Sequence, residues 1–362
     1  MLMCRRCLRD SRIQTCSATT LAFAWCALVS SAQEAAAKPV KVFILAGQSN
    51  MQGKAKISVI EEQLKSAEGT KLYGHLKEGD RWIARKDVFI RYGKDKGPLT
   101  VGYHQPKSIG PELGFGLLVG DRYEEPVLLI KTAWGGRSLY RDFRSPSAGL
   151  PSEKVLANML SNLNKSNEKN KKPAATIEDV KKPFGATYRE MMEEIRTTLE
   201  DLPAYVPGSG KNYELAGFVW FQGWNDMIDA NATAEYAVNL KHFIRDVRKD
   251  LKAPKLPIVV GEMGVDGVNA GGNVKKFKES QAAGVADPEF KGNVILVKTD
   301  VFWDTEAEAI FKKGWRENLE AWNRVGSDFP YHYLGSPKTM LAIGHAFGEA
   351  MLDLRGESQA KR

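Results

Sequence analysis

Beyond residue 26 the chain contains no cysteine. All four (Cys4, Cys7, Cys16, Cys26) precede that point, so the remainder can form neither a disulfide nor a thiolate metal site. Histidine is almost as scarce, with five in the chain, so a general base can be sought by elimination. No apolar run reaches the length of a membrane span. There is no Walker loop, dinucleotide fingerprint or zinc motif, and no cofactor is expected. Asp226 and Asp229 lie close in sequence but lack a partner histidine, so no metal site is expected either. The net charge of +8 is not gathered into a basic stripe with interleaved aromatics, which argues against nucleic acid as a partner.

The first 32 residues read as an export signal. Arg5, Arg6, Arg9 and Arg12 precede an apolar segment from Ala18 to Val29, and Ser30-Ser31-Ala32 supplies a small-residue cleavage site. Trp25 stands before Cys26, where a lipid-attachment signal requires a small residue, so no membrane anchor is expected. Cleavage near Ala32 removes those four arginines and Asp10, a net +3 of the +8, and leaves +5. A periplasmic or extracellular location follows. With 43% apolar and 27% charged residues, residues 33–362 have the composition of one decorated globular domain.

The stretch VKVFILAGQSNMQG, Val40–Gly53, organises the rest. Its near-continuous β-prone apolar run predicts a strand buried on both faces of a parallel sheet. The run stops at Gly47, which lets Gln48, Ser49 and Asn50 sit above the strand's carboxyl end, where ligands bind in open α/β sheets. Ser49 there suits a nucleophile whose neighbouring N–H groups face a developing oxyanion. Ser49 or Asn50 as a plain helix cap fits the stretch equally well.

Further apolar strands follow at Val127–Lys131, Leu215–Phe221, Ile258–Val260 and Val294–Val297, and Arg81–Tyr92 also reads as strand material. Helices alternate with them, the clearest being Tyr188–Leu199, Tyr236–Leu251 and Met340–Leu354. The pattern predicts a doubly wound, flavodoxin-like α/β sheet of about five parallel strands. An irregular insertion is expected around 140–185, with a mobile lysine-rich excursion at Asn162–Pro173. Three strand ends converge on one rim: Ser49, the pair Gly135 and Gly136, and Asn225. His242 and His345 face away from the apolar stripes of their helices, His75 lies in a charged stretch, and His104 sits in a glycine-rich loop. His332, in the loop before the last helix, is the base that elimination leaves.

These motifs, GQSNM after a buried strand, Gly-Gly-Arg-Ser, Gln-Gly-x-Asn-Asp and a late histidine before the terminal helix, resemble the SGNH-hydrolase superfamily. Within it the chain is similar to the sialate O-acetylesterase-like branch that includes carbohydrate esterase family 6. The resemblance spans roughly 38–355. It implies a three-layer α/β/α fold and hydrolysis of acetyl esters on sugars, with an acetylated carbohydrate as partner. It also implies Ser49 as nucleophile, His332 as base, and Gly136 or Gly135 with Asn225 and the Ser49 N–H as oxyanion donors. Gln222 matches a position that in this branch often lies beside the oxyanion, and Gln48 and Gly135 are further candidates for contact with the substrate.

Two positions depart from the pattern. Trp224 stands where many relatives have glutamate. The aspartate usually found three residues before the histidine is replaced by Phe329, and Asp328 lies one place earlier. Trp134, Trp224, Tyr331 and Tyr333 flank the centre and suit either sugar stacking or core packing. Arg137 suits either an acidic sugar or a pairing with Asp142, and Glu262 either supports the site or caps a loop. Two rival readings are a general esterase for lipid or aryl esters and a degenerate hydrolase that only binds glycans.

Overall fold

The computed structural model describes residues 38–103 and 107–357. The expected export signal and His104 lie outside the described residues. Seven strands make the central sheet: Val40–Gly47 (β1), Val88–Tyr92 (β2), Asp95–Pro98 (β3), Val127–Ala133 (β4), Tyr213–Phe221 (β5), Ile258–Gly261 (β6) and Val294–Val297 (β7). Their spatial order is β7-β6-β5-β1-β4-β2-β3. Six run parallel, and β3 alone pairs antiparallel, as the hairpin partner of β2.

The expected count of about five is therefore too low. Only the second half of Arg81–Tyr92 joins the sheet, because Arg81–Trp82 pairs with Lys77–Glu78 in a separate small hairpin. The edge strand β3 has the sequence Asp-Lys-Gly-Pro and carries no apolar alternation to betray it. At an edge, Pro98 is tolerated because one side needs no partner.

Helices cover both faces of the sheet. The principal ones are Ser49–Gln52 (α1), Pro111–Arg122 (α2), Glu153–Lys169 (α3), Ala186–Glu200 (α4), Trp224–Met227 (α5), Ala230–Asp250 (α6), Gly272–Val285 (α7) and Pro337–Leu354 (α8). On β5 the Trp220 ring meets Phe243 of α6 at 4.3 Å, while the next residue, Phe221, meets Phe347 of α8 at 5.2 Å. Successive strand residues point to opposite faces, so α6 and α8 lie on opposite sides. This double cover explains why β1 and β4 are almost wholly buried and why they read as unbroken apolar runs.

Two glycines set how closely α2 and α8 approach. A Cβ on Gly114 would lie 2.2 Å from the Leu341 carbonyl oxygen, and one on Gly344 would lie 2.0 Å from that of Pro111. The contact fixes α8, and with it the loop that precedes it.

The 140–185 region is more ordered than its composition predicts. Instead of a mobile excursion, the chain there forms the 17-residue helix α3, capped by Ser152, whose hydroxyl accepts the Val155 N–H. Leu156, with Met159 and Leu160 beside it, packs against Tyr140, Val180 and Phe184. The lysines and asparagines occupy the solvated face of this amphipathic helix, so they masked the stripe without opposing it.

Candidate active site

The site begins with strand register. Gly47, the last residue of β1, is level with Ala133 of β4 and Phe221 of β5, so three loops leave the sheet at one height. Gly47 must lack a side chain, because a Cβ there would sit 2.1 Å from the Phe221 carbonyl oxygen. The crossing is sealed by Gln48 N–H donating to Phe221 O (3.2 Å) and Trp134 N–H donating to Gly47 O (3.2 Å).

Ser49 opens α1 at the first helical position and is 6% exposed. The cap position belongs to Gln48, which makes no side-chain cap bond, and the Asn50 amide donates instead to the Tyr331 carbonyl at 3.1 Å. The capping reading therefore fails for both residues. Among the described residues the Ser49 hydroxyl takes no hydrogen-bond partner, so its proton is uncommitted.

Gln48 is buried and works as a brace. Its Oε1 accepts from the Gly223 N–H and from Gln222 Nε2, both at 3.1 Å, and its Nε2 donates to Asn225 Oδ1 at 3.1 Å. Committing the Asn225 oxygen in this way leaves its NH₂ group as the free donor. Gln222 is buried too: its Nε2 faces Gln48, the Arg137 carbonyl (3.0 Å) and Asp226 (2.5 Å), and its Oε1 accepts from Tyr236 OH at 3.1 Å. The substrate contact expected of Gln48 and Gln222 is thus corrected. Their polar atoms are spent inside the protein, behind the rim.

The loop after β4 is pinned from below. Asp226 is fully buried, and its two oxygens accept the N–H groups of Leu139 and Tyr140, each at 2.8 Å. Burial pushes its carboxyl up to about 6, against the pull of Gln222 and the two N–H groups. Asp142 accepts from the Ser138 N–H and hydroxyl and faces the Arg137 guanidinium at 3.4 Å, so Arg137 has the aspartate partner that was one of its two expected roles. Gly135 and Gly136 stand exposed above these anchors, and Gly136 has φ +71°, a left-handed turn that favours glycine. Asp229 caps α6 through the N–H groups of Asn231 and Ala232. The carboxylates near Asn225 are therefore engaged structurally.

The fourth element is the loop Asp328–Gly335. Tyr333, Leu334 and Gly335 all adopt left-handed φ values of 52° to 59°, a costly conformation for the first two. It is held by burial. Tyr333 OH accepts the Gly264 N–H (2.8 Å) and meets the Thr299 hydroxyl (2.6 Å), and Leu334 is buried beside Trp322 and Val325. Ser327 ties the loop to the chain after α1, its hydroxyl accepting from the Lys56 N–H and lying 3.1 Å from the Lys54 carbonyl. The resulting twist brings Asp328 Oδ1 to 2.9 Å from His332 Nδ1, despite the extra residue between them. Burial opposes ionisation of Asp328, but the His332 hydrogen bond and charge, the Phe329 N–H and Lys54 outweigh it and hold the carboxyl below its ordinary range.

Tyr333 belongs to the core, whereas Trp224 and Tyr331 are half-buried at the rim with centroids 5.3 Å apart. Glu262 is buried against Lys278 at 3.1 Å. His75 and His345 are exposed, but His242 is half-buried with its Nδ1 2.8 Å from the Ser147 hydroxyl.

One feature escaped the sequence reading. Lys131 in β4 is fully buried, and its ammonium donates to Gln52 O at the end of α1 and to Glu112 Oε2, both at 2.7 Å, while Glu112 Oε1 accepts the Gly110 N–H. A lysine inside an otherwise apolar strand was the available signal.

The fold is that of an open, mostly parallel α/β protein with its polar loops gathered at the carboxyl ends of the central strands. The profile of the family described as carbohydrate esterase, sialic acid-specific acetylesterase matches residues 39–306, and the chain belongs to that family of ester hydrolases. The matched span holds Ser49, Gly135, Gly136 and Asn225 and stops before Asp328 and His332. A probable carbohydrate esterase of Arabidopsis thaliana is 31% identical over 68 residues, 19% of this chain and 25% of that protein; the match thus spans a quarter of that relative's length. A solved Arabidopsis thaliana protein superposes with TM-score 0.50 at 17% identity, over 87% of this chain and 98% of the other, a likeness of fold. A carbohydrate acetylesterase from Xanthomonas citri gives 0.48 at 12% identity, over 87% and 56%.

Proposed function

We propose that this protein is an exported carbohydrate O-acetylesterase of the SGNH type, built as one three-layer domain over 33–362, that works through an acetyl-serine intermediate. The observation that carries the mechanism is the 2.9 Å contact between Asp328 and His332 on a loop bonded to α1 through Asn50, next to a serine whose hydroxyl is uncommitted. His332 Nε2 takes the Ser49 proton as Oγ attacks the acetyl carbonyl. The negative charge that develops on the carbonyl oxygen is met by the Ser49 N–H, a glycine N–H from Gly136 or Gly135, and the Asn225 NH₂ that the Gln48 brace leaves free. As the bond between the acyl carbon and the sugar oxygen breaks, His332 returns the proton to that departing oxygen. Water, activated by the same imidazole, releases acetate. Asp328 holds the imidazole with Nδ1 protonated and stabilises its charged form.

Family membership and the polar, solvent-facing rim favour an acetylated sugar over a lipid or aryl ester. The arginine-led apolar leader with its small-residue end supports export. The test is acetate release from acetylated polysaccharide by wild type and Ser49→Ala. The reading requires release by the first and a loss of about three or more powers of ten in the second. Equal release by both would overturn it, and a protein that binds glycan but releases nothing would be the degenerate form.

A further inference from the structure

Beneath the nucleophile lies a buried ion pair that the proposed chemistry does not touch. Ser49 is carried by α1, a single turn from Ser49 to Gln52. So short a helix has too few internal bonds to hold its own place. Here they are Gln52 N–H to Gln48 O (2.9 Å) and Gly53 N–H to Ser49 O (3.1 Å). The carbonyls at a helix end need partners from elsewhere, and for Gln52 that partner is Lys131. The Lys131 ammonium donates to Gln52 O and to Glu112 Oε2, both at 2.7 Å, and the two side chains are 0% and 2% exposed.

Three elements meet at this pair. Lys131 stands in β4, two residues before the strand end at Ala133 that leads into Gly135 and Gly136. Glu112 belongs to the first turn of α2, and its Oε1 accepts the Gly110 N–H at 2.9 Å. The chain leaving α1 crosses the start of α2 so closely that a Cβ on Gly53 would lie 2.4 Å from Gly110 Cα. The Gln52 side chain extends the link toward the glycine loop. Its Nε2 donates to the Ala133 carbonyl at 3.4 Å, and its Oε1 would lie 3.0 Å from a Cβ on Gly135. Tyr92 joins the same group, with its ring 4.8 Å from the ammonium and its hydroxyl donating to Ala133 O at 3.1 Å.

Stability does not account for the pair. Replacing a buried ion pair by apolar side chains of similar volume is often neutral or stabilising. Such side chains would fill the same space but leave Gln52 O without this donor and the Gly110 N–H without this acceptor. What the ions supply is direction, in bonds that fix α1 against β4 and α2.

We infer that Lys131 and Glu112 are positioning residues that set the Ser49 helix against the loop of Gly135 and Gly136. The inference rests on the esterase reading, because it takes Ser49 as the nucleophile and a glycine of that loop as an oxyanion donor. Attack and charge stabilisation must share one geometry, and a misplacement of about 1 Å caused from outside the reacting groups can cost about a hundredfold. The pair is buried away from any substrate, so its loss falls on kcat and spares KM.

The experiment uses wild type, Lys131→Met, Glu112→Gln, and Lys131→Met combined with Glu112→Leu. It measures kcat and KM on 4-nitrophenyl acetate, the urea midpoint, and hydrogen exchange over the peptide that holds Ser49–Gly53. The double variant should regain most of the urea midpoint that Lys131→Met loses. Its kcat should nonetheless stay about ten- to a hundredfold below wild type at unchanged KM, with faster exchange at Ser49–Gly53. Glu112→Gln keeps the size of the side chain but offers one acceptor to two donors, and should lower kcat by about three- to tenfold; it carries the test if the methionine variants do not fold. A double variant whose kcat and exchange return to wild type along with its urea midpoint would overturn the inference, as would losses confined to KM. If wild type turns over no acetyl ester and the substitutions still loosen Ser49–Gly53, the esterase reading fails and the brace stands.

Discussion

The sharpest test of the site is the carboxylate that sits one residue out of the family's usual place. In Asp328→Asn the new amide has one acceptor and one donor to place where the carboxylate had two acceptors. Oδ1 of Asp328 already accepts the Phe329 N–H at 2.7 Å as well as facing His332 Nδ1 at 2.9 Å. Turning the NH₂ toward that pair would set donor against donor, so the amide settles with its oxygen inward. His332 then keeps the tautomer with Nδ1 protonated and Nε2 free to accept from Ser49. What is lost is the carboxylate charge opposite the imidazolium. Unit charges about 4 Å apart attract by about 4 kcal/mol in a protein-like dielectric and about 1 kcal/mol in water. The His332 and Asp328 side chains are 17% and 25% exposed, between those limits. A loss of roughly 2 to 3 kcal/mol corresponds to about a 30- to 150-fold fall in kcat. Asp328→Ala removes orientation as well and should cost about a thousandfold or more. His332→Ala should cost about ten-thousandfold, and adding Asp328→Asn to it should cost nothing further, because the carboxylate acts only through the imidazole. The assay is acetate release at saturating acetyl ester for the three single variants and the double. An Asp328→Asn enzyme with wild-type kcat, or losses that multiply in the double variant, would refute the reasoning and leave a Ser49–His332 dyad.

Other outcomes follow from the same geometry. Asn225→Ala should lower kcat by about a hundred- to a thousandfold with little change in KM, since in the proposed mechanism its amide acts when the oxyanion forms; steady-state kinetics that moved KM alone would make Asn225 a substrate clamp. Lys131→Met leaves the Glu112 carboxylate buried without its ammonium and should cost about 3 to 5 kcal/mol in urea unfolding, whereas Lys131→Met with Glu112→Leu should recover most of it; a single variant as stable as wild type would contradict the pairing. Asp226 is raised by burial from 3.8 to about 6, so the folded state takes up its proton more readily than the unfolded chain. Its contribution to stability is therefore greatest below about pH 4 and is lost as pH rises through about 6. Wild type should gain on Asp226→Asn by at most roughly 3 kcal/mol as pH falls from 7 to 4, read as diverging thermal midpoints; parallel curves would exclude that titration.

How much was legible in the chain depends on the kind of interaction. The buried strands announced themselves through composition, because a strand covered on both faces has no polar side to show. Gly47 and the polar residues after it were equally plain, since a backbone crossing at the level of Phe221 permits no side chain at that position. The placing of Ser49, Gly136 and Asn225 on one rim followed from parallel strands ending together. His332 was the candidate base because so few histidines compete, and the structure sets its Nδ1 2.9 Å from Asp328 Oδ1. Local sequence could not count the sheet, since the edge strand β3 carries no apolar alternation, and it misread α3, whose lysines face water. Tertiary structure alone decided the rest. Gln48 and Gln222 looked like substrate contacts until the packing turned their amides on each other, and Asp328 looked displaced until the left-handed turn at Tyr333 and Leu334 returned it to His332. Both depend on side chains far apart in sequence sharing a few ångströms of buried space, where unpaired polar groups are costly and each residue's orientation is set by its neighbours.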